Sequence, residues 1–191
     1  MGIFRKKTKE QTLINGCIKG DNKYLELLYA TYAPIVFPIC LRYAKDYHQA
    51  EDILQEGFIK VYKNMAKFRG DGSFEGWLKR IFVNTAIEHY RKAVSMYPII
   101  EVENANVQIV EDHTLEKLAA KDLMKLIKKL AIGYRTIFNL YVIEGYSHVA
   151  IAKKLGISEG TSKSQLSRAR YLLKKMILEQ REQEKFGELN A

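Results

Sequence analysis

The chain has 191 residues, 47% of them hydrophobic, which is enough for one large or two small domains with a packed core. Its formal net charge of +9 favours a polyanionic partner, either nucleic acid or an acidic membrane surface. No apolar run approaches the roughly 18 residues of a membrane span, and the basic N-terminus leads into no hydrophobic signal core, so we expect a cytoplasmic protein without membrane insertion.

The sequence shows no recognisable cluster of catalytic or metal-binding residues. Cys17 and Cys40 lie far apart without a Cys/His cluster, and we predict that they are buried apolar side chains in a reducing cytoplasm. The four histidines are scattered, and none has a partner at the spacing of metal ligands. With neither a Walker A loop nor a Gly-x-Gly-x-x-Gly motif, the sequence predicts no catalytic residue, metal site or cofactor, and therefore no enzyme.

Apolar residues recur at helical spacing through nearly the whole chain, which predicts an all-α fold. A short first helix over residues 13–18 stops at Gly20. A second helix follows over residues 24–43, where Pro34 and Pro38 either bend it or divide it.

Two further helices precede a change of composition. Asp46 is the predicted N-cap of a third helix over residues 48–68, and a loop over 69–73 leads into a fourth helix over 74–92. The next segment contains Pro98 and four acidic residues but no lysine or arginine, which is typical of an interdomain linker. The sequence therefore predicts two small helical domains, a linker and a tail: residues 8–92, the linker over 93–113, residues 114–178, and a charged tail over 179–191.

Residues 147–170 have the pattern of a helix-turn-helix. Gly156 stands where a residue with φ > 0 ends the first helix, and Ser158 is a good N-cap for the second, predicted to run over about residues 159–176. The second helix offers side chains that reach phosphates and base edges in a major groove, and a solvated helix of a bundle is the alternative. The candidate contacts are Ser158, Thr161, Lys163, Ser164, Gln165, Ser167 and Arg168.

Ser162 is the one mismatch in this pattern, because the motif requires a branched apolar residue at that inward position. We expect its buried hydroxyl to donate a hydrogen bond to the carbonyl of Ser158.

The third helix carries an acidic patch in a basic protein. Its buried face includes Ile53, Leu54, Phe58 and Val61, and its exposed face includes Glu51, Asp52, Gln55 and Glu56. DNA would repel these carboxylates, so the patch favours a basic protein surface as its partner. An ordinary solvated helix face is the alternative.

The fourth helix interleaves aromatic and basic residues, a pattern that suits single-stranded nucleic acid. Arg80, Asn84 and Arg91 fall on one stripe at i, i+4 and i+11. The alternative is that Trp77, Phe82 and Tyr90 belong to the core. We predict a core position for Phe82, whereas Trp77 and the loop over residues 69–73 are better placed to meet a base.

These three segments, in this order, resemble bacterial sigma factors of the extracytoplasmic-function class. The matching blocks are residues 50–62, 77–92 and 145–173. The resemblance implies a sigma-2 domain whose acidic helix binds a coiled coil of the RNA polymerase β′ subunit, and a sigma-4 domain whose helix-turn-helix reads the minus-thirty-five element. It also implies contact with the β subunit, with promoter DNA and with an anti-sigma factor.

The resemblance assigns roles by position. Asp52, Gln55, Glu56 and Phe58, together with Glu51, would carry or support the contact with core polymerase. The loop and fourth helix would open the minus-ten element and hold a flipped base. The candidates for that role are Arg69, Asp71, Ser73, Trp77, Lys79, Arg80, Asn84 and Arg91.

The chain departs from the family pattern at three positions. Val149 stands where an acidic residue is frequent, Ser162 where valine is usual, and Gln165 where a basic residue is frequent. They bear on base preference more than on the fold. The alternative function is a helix-turn-helix regulator that binds duplex DNA without polymerase, which does not need the acidic patch. A recombinase is disfavoured because the sequence shows no nucleophile or metal constellation.

Overall fold

The computed structural model describes residues 8–96 and 120–189 and contains no strand within those ranges, which confirms the predicted all-α fold. The chain divides into two compact units, Met1–His89 and Tyr90–Ala191. Residues 97–113 of the predicted linker lie outside the described residues, so the predicted domain limits stay predictions.

From residue 8 onward, where the structure describes it, the first unit consists of four helices joined by short turns. They are α1 (Lys9–Ile18), α2 (Asn22–Tyr43), α3 (Tyr47–Asn64) with a 3₁₀ turn at Met65–Lys67, and α4 (Phe74–Met96), whose residues up to His89 belong to this unit. Gly20 has φ +74° and ends the first segment, and the carboxylate of Asp21 then accepts from the Lys23 N–H at 3.0 Å. Asp46 caps α3 as predicted, accepting from the Gln49 N–H at 2.8 Å.

Helix α2 runs through Pro34 and Pro38 without a break, so neither proline divides it. By length and composition alone it could cross a membrane, which the sequence analysis did not expect. Its inner face nevertheless belongs to the core, because Leu28, Val36 and Cys40 are 0% exposed. Burial raises the pKa of the Cys40 thiol to about 12, and both cysteines are buried and free, as predicted.

An aromatic cluster joins three helices of the first unit. The Phe58 ring on α3 lies 4.7 Å from Tyr29 of α2 and 5.2 Å from Phe82 of α4, measured between centroids. Gly57 lets α3 and α4 approach closely, because a Cβ at this position would overlap the Phe82 ring. Phe82 is 0% exposed, which confirms its predicted core position.

Within its described residues, the second unit contains four helices, and the last two form the predicted helix-turn-helix. They are α5 (Ala120–Lys129), α6 (Ile132–Phe138) followed by a π-helical turn at Asn139–Ile143, α7 (His148–Leu155) and α8 (Glu159–Leu189). Gly156 ends α7 with φ +72°, and Ser158 caps α8, accepting from the Thr161 N–H at 2.9 Å. Both turn predictions are confirmed.

Two predicted helix ends are wrong. Helix α4 continues four residues beyond the predicted end at residue 92, and α8 continues to Leu189 rather than ending near 176 and fraying after Leu178. Neither segment contains a glycine or proline near the predicted end, so local sequence provides no stop signal there.

Candidate functional sites

In the acidic patch predicted on α3, some residues are exposed to solvent and others form ion pairs within the protein. Asp52 and Gln55 are exposed, and Asp52 forms no ion pair with the described residues. Glu51 is half-buried, and its carboxylate lies 3.7 Å from Nδ1 of His48. Asp52 and Gln55 therefore offer the most accessible polar surface of the patch.

Glu56 is held in a charge network between α3 and α4. Its carboxylate lies 2.9 Å from Lys60 Nζ and 2.7 Å from His89 Nε2, and Lys60 Nζ also lies 2.7 Å from Glu88. The hydrogen bond from Lys60 lowers the pKa of Glu56, burial opposes it, and His89 adds to the lowering. Sequence reasoning missed Lys60, Glu88 and His89, because their proximity depends on how two helices pack.

This network predicts acid-sensitive stability. The pKa of Glu56 lies below its ordinary value of 4.5 in the folded chain, so its stabilising contribution is present above that value and is lost as the pH falls through the folded pKa. Lys60→Met removes the main cause of the lowered pKa of Glu56. Between pH 7 and pH 3, the free energy of unfolding of this variant should therefore fall by about 0.5 kcal/mol less than that of the parent. Chemical unfolding at both pH values measures this difference, with Lys63→Met, an exposed lysine on the same helix, as the control. Equal acid losses for Lys60→Met and the parent would refute the assignment.

Phe58 was predicted to lie on the buried face of α3 and to carry or support the polymerase contact, and its burial is confirmed. The side chain is 2% exposed and lies within the aromatic cluster. The Phe58 ring packs the helix that carries the patch against Tyr29 of α2 and Phe82 of α4.

The loop after the 3₁₀ turn and the start of α4 enclose a surface pocket of about 440 Å³. Trp77 is half-buried at its wall, with its ring 5.6 Å from Phe74 in a stacked arrangement and 5.5 Å from Phe68. Trp77 thus packs on the core and also lines the pocket. The lining residues are Lys67, Phe68, Arg69, Asp71, Gly72, Ser73, Gly76, Trp77 and Arg80.

Several residues predicted for the minus-ten element have partners within the protein. Ser73 accepts from the Gly76 N–H at 3.0 Å and so serves as an N-cap of α4. Lys79 Nζ lies 2.6 Å from Glu75 one turn earlier. Asn84 is half-buried and also has a partner.

The arginines of this set remain exposed. Arg69, with Asp71 beside it, and Arg80 are exposed at the pocket. Arg91 is exposed as well, but it lies beyond His89 and so outside the first unit. The structure therefore places Arg69, Asp71, Ser73, Trp77 and Arg80 around one pocket.

The first turns of α8 expose Lys163 and Ser164, as predicted. The Lys163 ammonium lies 2.7 Å from Glu159, and the Ser164 hydroxyl donates to the Thr161 carbonyl at 3.1 Å. Ser158 and Thr161 also share a hydrogen bond between hydroxyls at 2.8 Å. These local bonds order the polar surface at the start of the helix.

Three other predicted contacts on α8 are less exposed than expected. Ser167 and Arg168 are half-buried, and the Arg168 guanidinium lies 5.2 Å from the Tyr171 ring centroid. Gln165 is half-buried, and its side-chain oxygen is buried without a hydrogen-bond partner among the described residues. A fully outward position for Gln165 is therefore wrong.

The expected partner of the Ser162 hydroxyl is also wrong. Ser162 is 0% exposed, and its Oγ lies 2.9 Å from Nδ1 of His148 rather than on the Ser158 carbonyl, which accepts the Ser162 N–H instead. His148 precedes Ser162 by 14 residues, so no local spacing rule would have joined them.

The second unit also contains a buried cation that the sequence analysis did not single out. Arg135 on α6 is 5% exposed and donates from Nη1 to the Lys128 carbonyl at 3.2 Å. A cation at the C-terminal turn of α5 complements the free carbonyls of that turn.

Within the described residues, no group of three or more His, Cys, Asp or Glu side chains is arranged to hold a metal ion. The three surfaces offer groups suited to binding: carboxylates on α3, an aromatic and cationic pocket at α4, and polar and basic side chains on α8.

The two helical units each match a known protein family. Residues 28–95 match the family model of sigma-70 region 2, and residues 120–173 match that of sigma-70 region 4. The chain is 30% identical to the RNA polymerase sigma-H factor of Pseudomonas aeruginosa over 88% of this chain and 94% of that protein. It is 33% identical to the ECF RNA polymerase sigma factor SigW of Bacillus subtilis over 83% of this chain and 91% of that protein.

Among solved structures, the sigma factor RpoE from Bartonella quintana, crystallised with the anti-sigma factor NepR, aligns with a TM-score of 0.47 and 23% identity, over 81% of this chain and 96% of that one. The two region matches and the identity to curated relatives establish the family. The chain belongs to the extracytoplasmic-function class of RNA polymerase sigma factors.

Proposed function

We propose that this sigma factor binds core RNA polymerase through the acidic patch of α3 and contacts two promoter elements through surfaces on its two units. The observation that carries the proposal is the exposed pair Asp52 and Gln55 in a protein of net charge +9. DNA repels an acidic surface, whereas a basic protein surface attracts it. Because it binds RNA polymerase, we expect this sigma factor to act in the cytoplasm.

For the minus-ten element, we infer a role for the pocket beside Trp77. A base taken out of the duplex stacks on an aromatic ring, and Arg69 and Arg80 supply cations for the backbone phosphates. Stacking and charge offset the few kcal/mol lost when a base pair opens, so promoter melting needs no catalytic residue here. The polymerase makes the phosphodiester bond.

For the minus-thirty-five element, we infer that the first turns of α8 enter the major groove. Lys163 and Ser164 are exposed there, and Arg168 lies one turn further along. Two separate DNA contacts on one chain give avidity only when the promoter spacing lets both form at once. An anti-sigma factor is the additional partner that we propose for the inactive state.

The alternative, a helix-turn-helix regulator that acts without polymerase, is not favoured. It would not need the acidic patch, and it would not explain the match of residues 28–95 to sigma-70 region 2.

Run-off transcription with core polymerase of the same organism tests the proposal. The full chain, added to core polymerase and a library of promoter fragments, should yield discrete transcripts that core polymerase alone does not make. No promoter-dependent product across the library, together with no binding to core, would refute it. Binding to duplex DNA without any effect on transcription would instead support the regulator.

A further inference from the structure

His148 lies where three elements of the second unit meet. It is the first residue of α7, and its Nδ1 lies 2.9 Å from Ser162 Oγ on α8. Its ring stacks on Tyr141 of the π-helical turn, with centroids 4.5 Å apart and planes at 23°. Because a buried hydroxyl without a partner costs about 1–3 kcal/mol, the contact with His148 is what makes serine tolerable at position 162.

The charged groups that face this ring come from α8. Lys163 and Arg170 add positive charge, Glu159 opposes them, and Tyr141, the neighbour from the π-helical turn, is uncharged. Burial, followed by Lys163, lowers the pKa of His148 below its ordinary value of 6.5 despite the opposing effect of Glu159. The imidazole is therefore neutral in the free protein near pH 7.

We propose that His148 is a positioning residue that fixes the DNA-reading helix α8 against α7 through Ser162, and that binding of the upstream promoter duplex is coupled to proton uptake by its ring. This inference rests on the proposed function of α8. Duplex DNA brings phosphates beside Lys163, and their negative charge offsets the repulsion that disfavours the imidazolium. Since protonation then favours the bound state, promoter affinity rises as the pH falls through the range in which the ring takes up its proton.

The test uses holoenzyme formed from the full chain and core polymerase, bound to a promoter that it selects from a library. We expect the parent holoenzyme to bind about twofold more tightly at pH 6 than at pH 8, because the ring takes up a proton more readily in the bound state than in the free protein. His148→Asn keeps a hydrogen-bonding group for Ser162 but does not titrate, so the ratio of its affinities at pH 6 and pH 8 should be close to one, whatever its affinity at pH 8. A promoter with a scrambled upstream element should also lose the effect.

A second pair of variants tests the positioning role separately. His148→Phe keeps the stack on Tyr141 but leaves the Ser162 hydroxyl without a partner, and we expect promoter affinity to fall about three- to tenfold. Adding Ser162→Val removes the stranded hydroxyl and should restore the affinity, which a simple loss of folding at position 148 would not allow.

Parental affinity for His148→Phe and an unchanged pH profile for His148→Asn would overturn the inference. The proposed function would still stand in that case, provided that the holoenzyme makes promoter-dependent transcripts. A parent holoenzyme that selects no promoter would overturn the proposed function, and this inference with it.

Discussion

Asp52→Arg is expected to lower the affinity of the chain for core RNA polymerase about 100-fold, or ~2.7 kcal/mol. Asp52 is exposed on α3 and forms no ion pair with the described residues, so the change leaves the packing of the unit intact. At an interface with a basic surface, it replaces an attraction with a like-charge contact. Titration of labelled chain with core polymerase measures the loss.

The structure makes Asp52 a better target than Glu56. An arginine at position 56 would lie beside Lys60 and His89, so loss of binding could result from loss of folding. Glu26→Arg is the matched control, because this acid is exposed on α2 and gives the same change of net charge. If Glu26→Arg weakens binding as much as Asp52→Arg does, the effect comes from net charge and the patch is not the polymerase contact.

Phe82→Ala is expected to destabilise the first unit by about 3–5 kcal/mol, the largest stability effect that we predict. Phe82 is 0% exposed and touches both Phe58 and Gly57, so truncation leaves a cavity between α3 and α4. Guanidinium unfolding followed by circular dichroism measures the change.

The opposite change at the same contact gives a second measurement. Gly57→Ala would push a methyl group into the Phe82 ring and should cost about 1–3 kcal/mol, whereas Gly72→Ala, with nothing within 4 Å of the added Cβ, should be close to neutral. Combining Gly57→Ala with Phe82→Leu should cost less than the sum of the two single changes, because the smaller side chain relieves the overlap. Additive losses would show that Gly57 is not needed to make room for the Phe82 ring.

The helices, their caps and the domain order were predictable because those signals are local. A cap bonds to an N–H two or three residues away, and a buried face repeats every three or four residues. Asp46, Gly156 and Ser158 could therefore be read directly. The predicted ends at residues 92 and 176 fall where the local sequence carries no stop signal, and α4 ends instead at Met96, two residues before Pro98.

The candidate surfaces were predictable in outline, because charge and aromatic patterns mark a helix face. Their details were not. Glu56 and His89 are 33 residues apart, and His148 and Ser162 are 14 apart, so their contacts exist only once helices pack. For Phe58, helical spacing predicted the buried position, but its ring partners Tyr29 and Phe82 come from other helices and could not be predicted.

The sequence by itself determined the helical fold, the helix-turn-helix and membership of the sigma factor family, since each is recorded in short-range spacing or in residue identity. Only the tertiary structure decided which acid of the patch is free, which residues surround the pocket at Trp77, and which group satisfies Ser162. Those properties depend on distances between side chains on different helices, and the packing of the helices sets those distances.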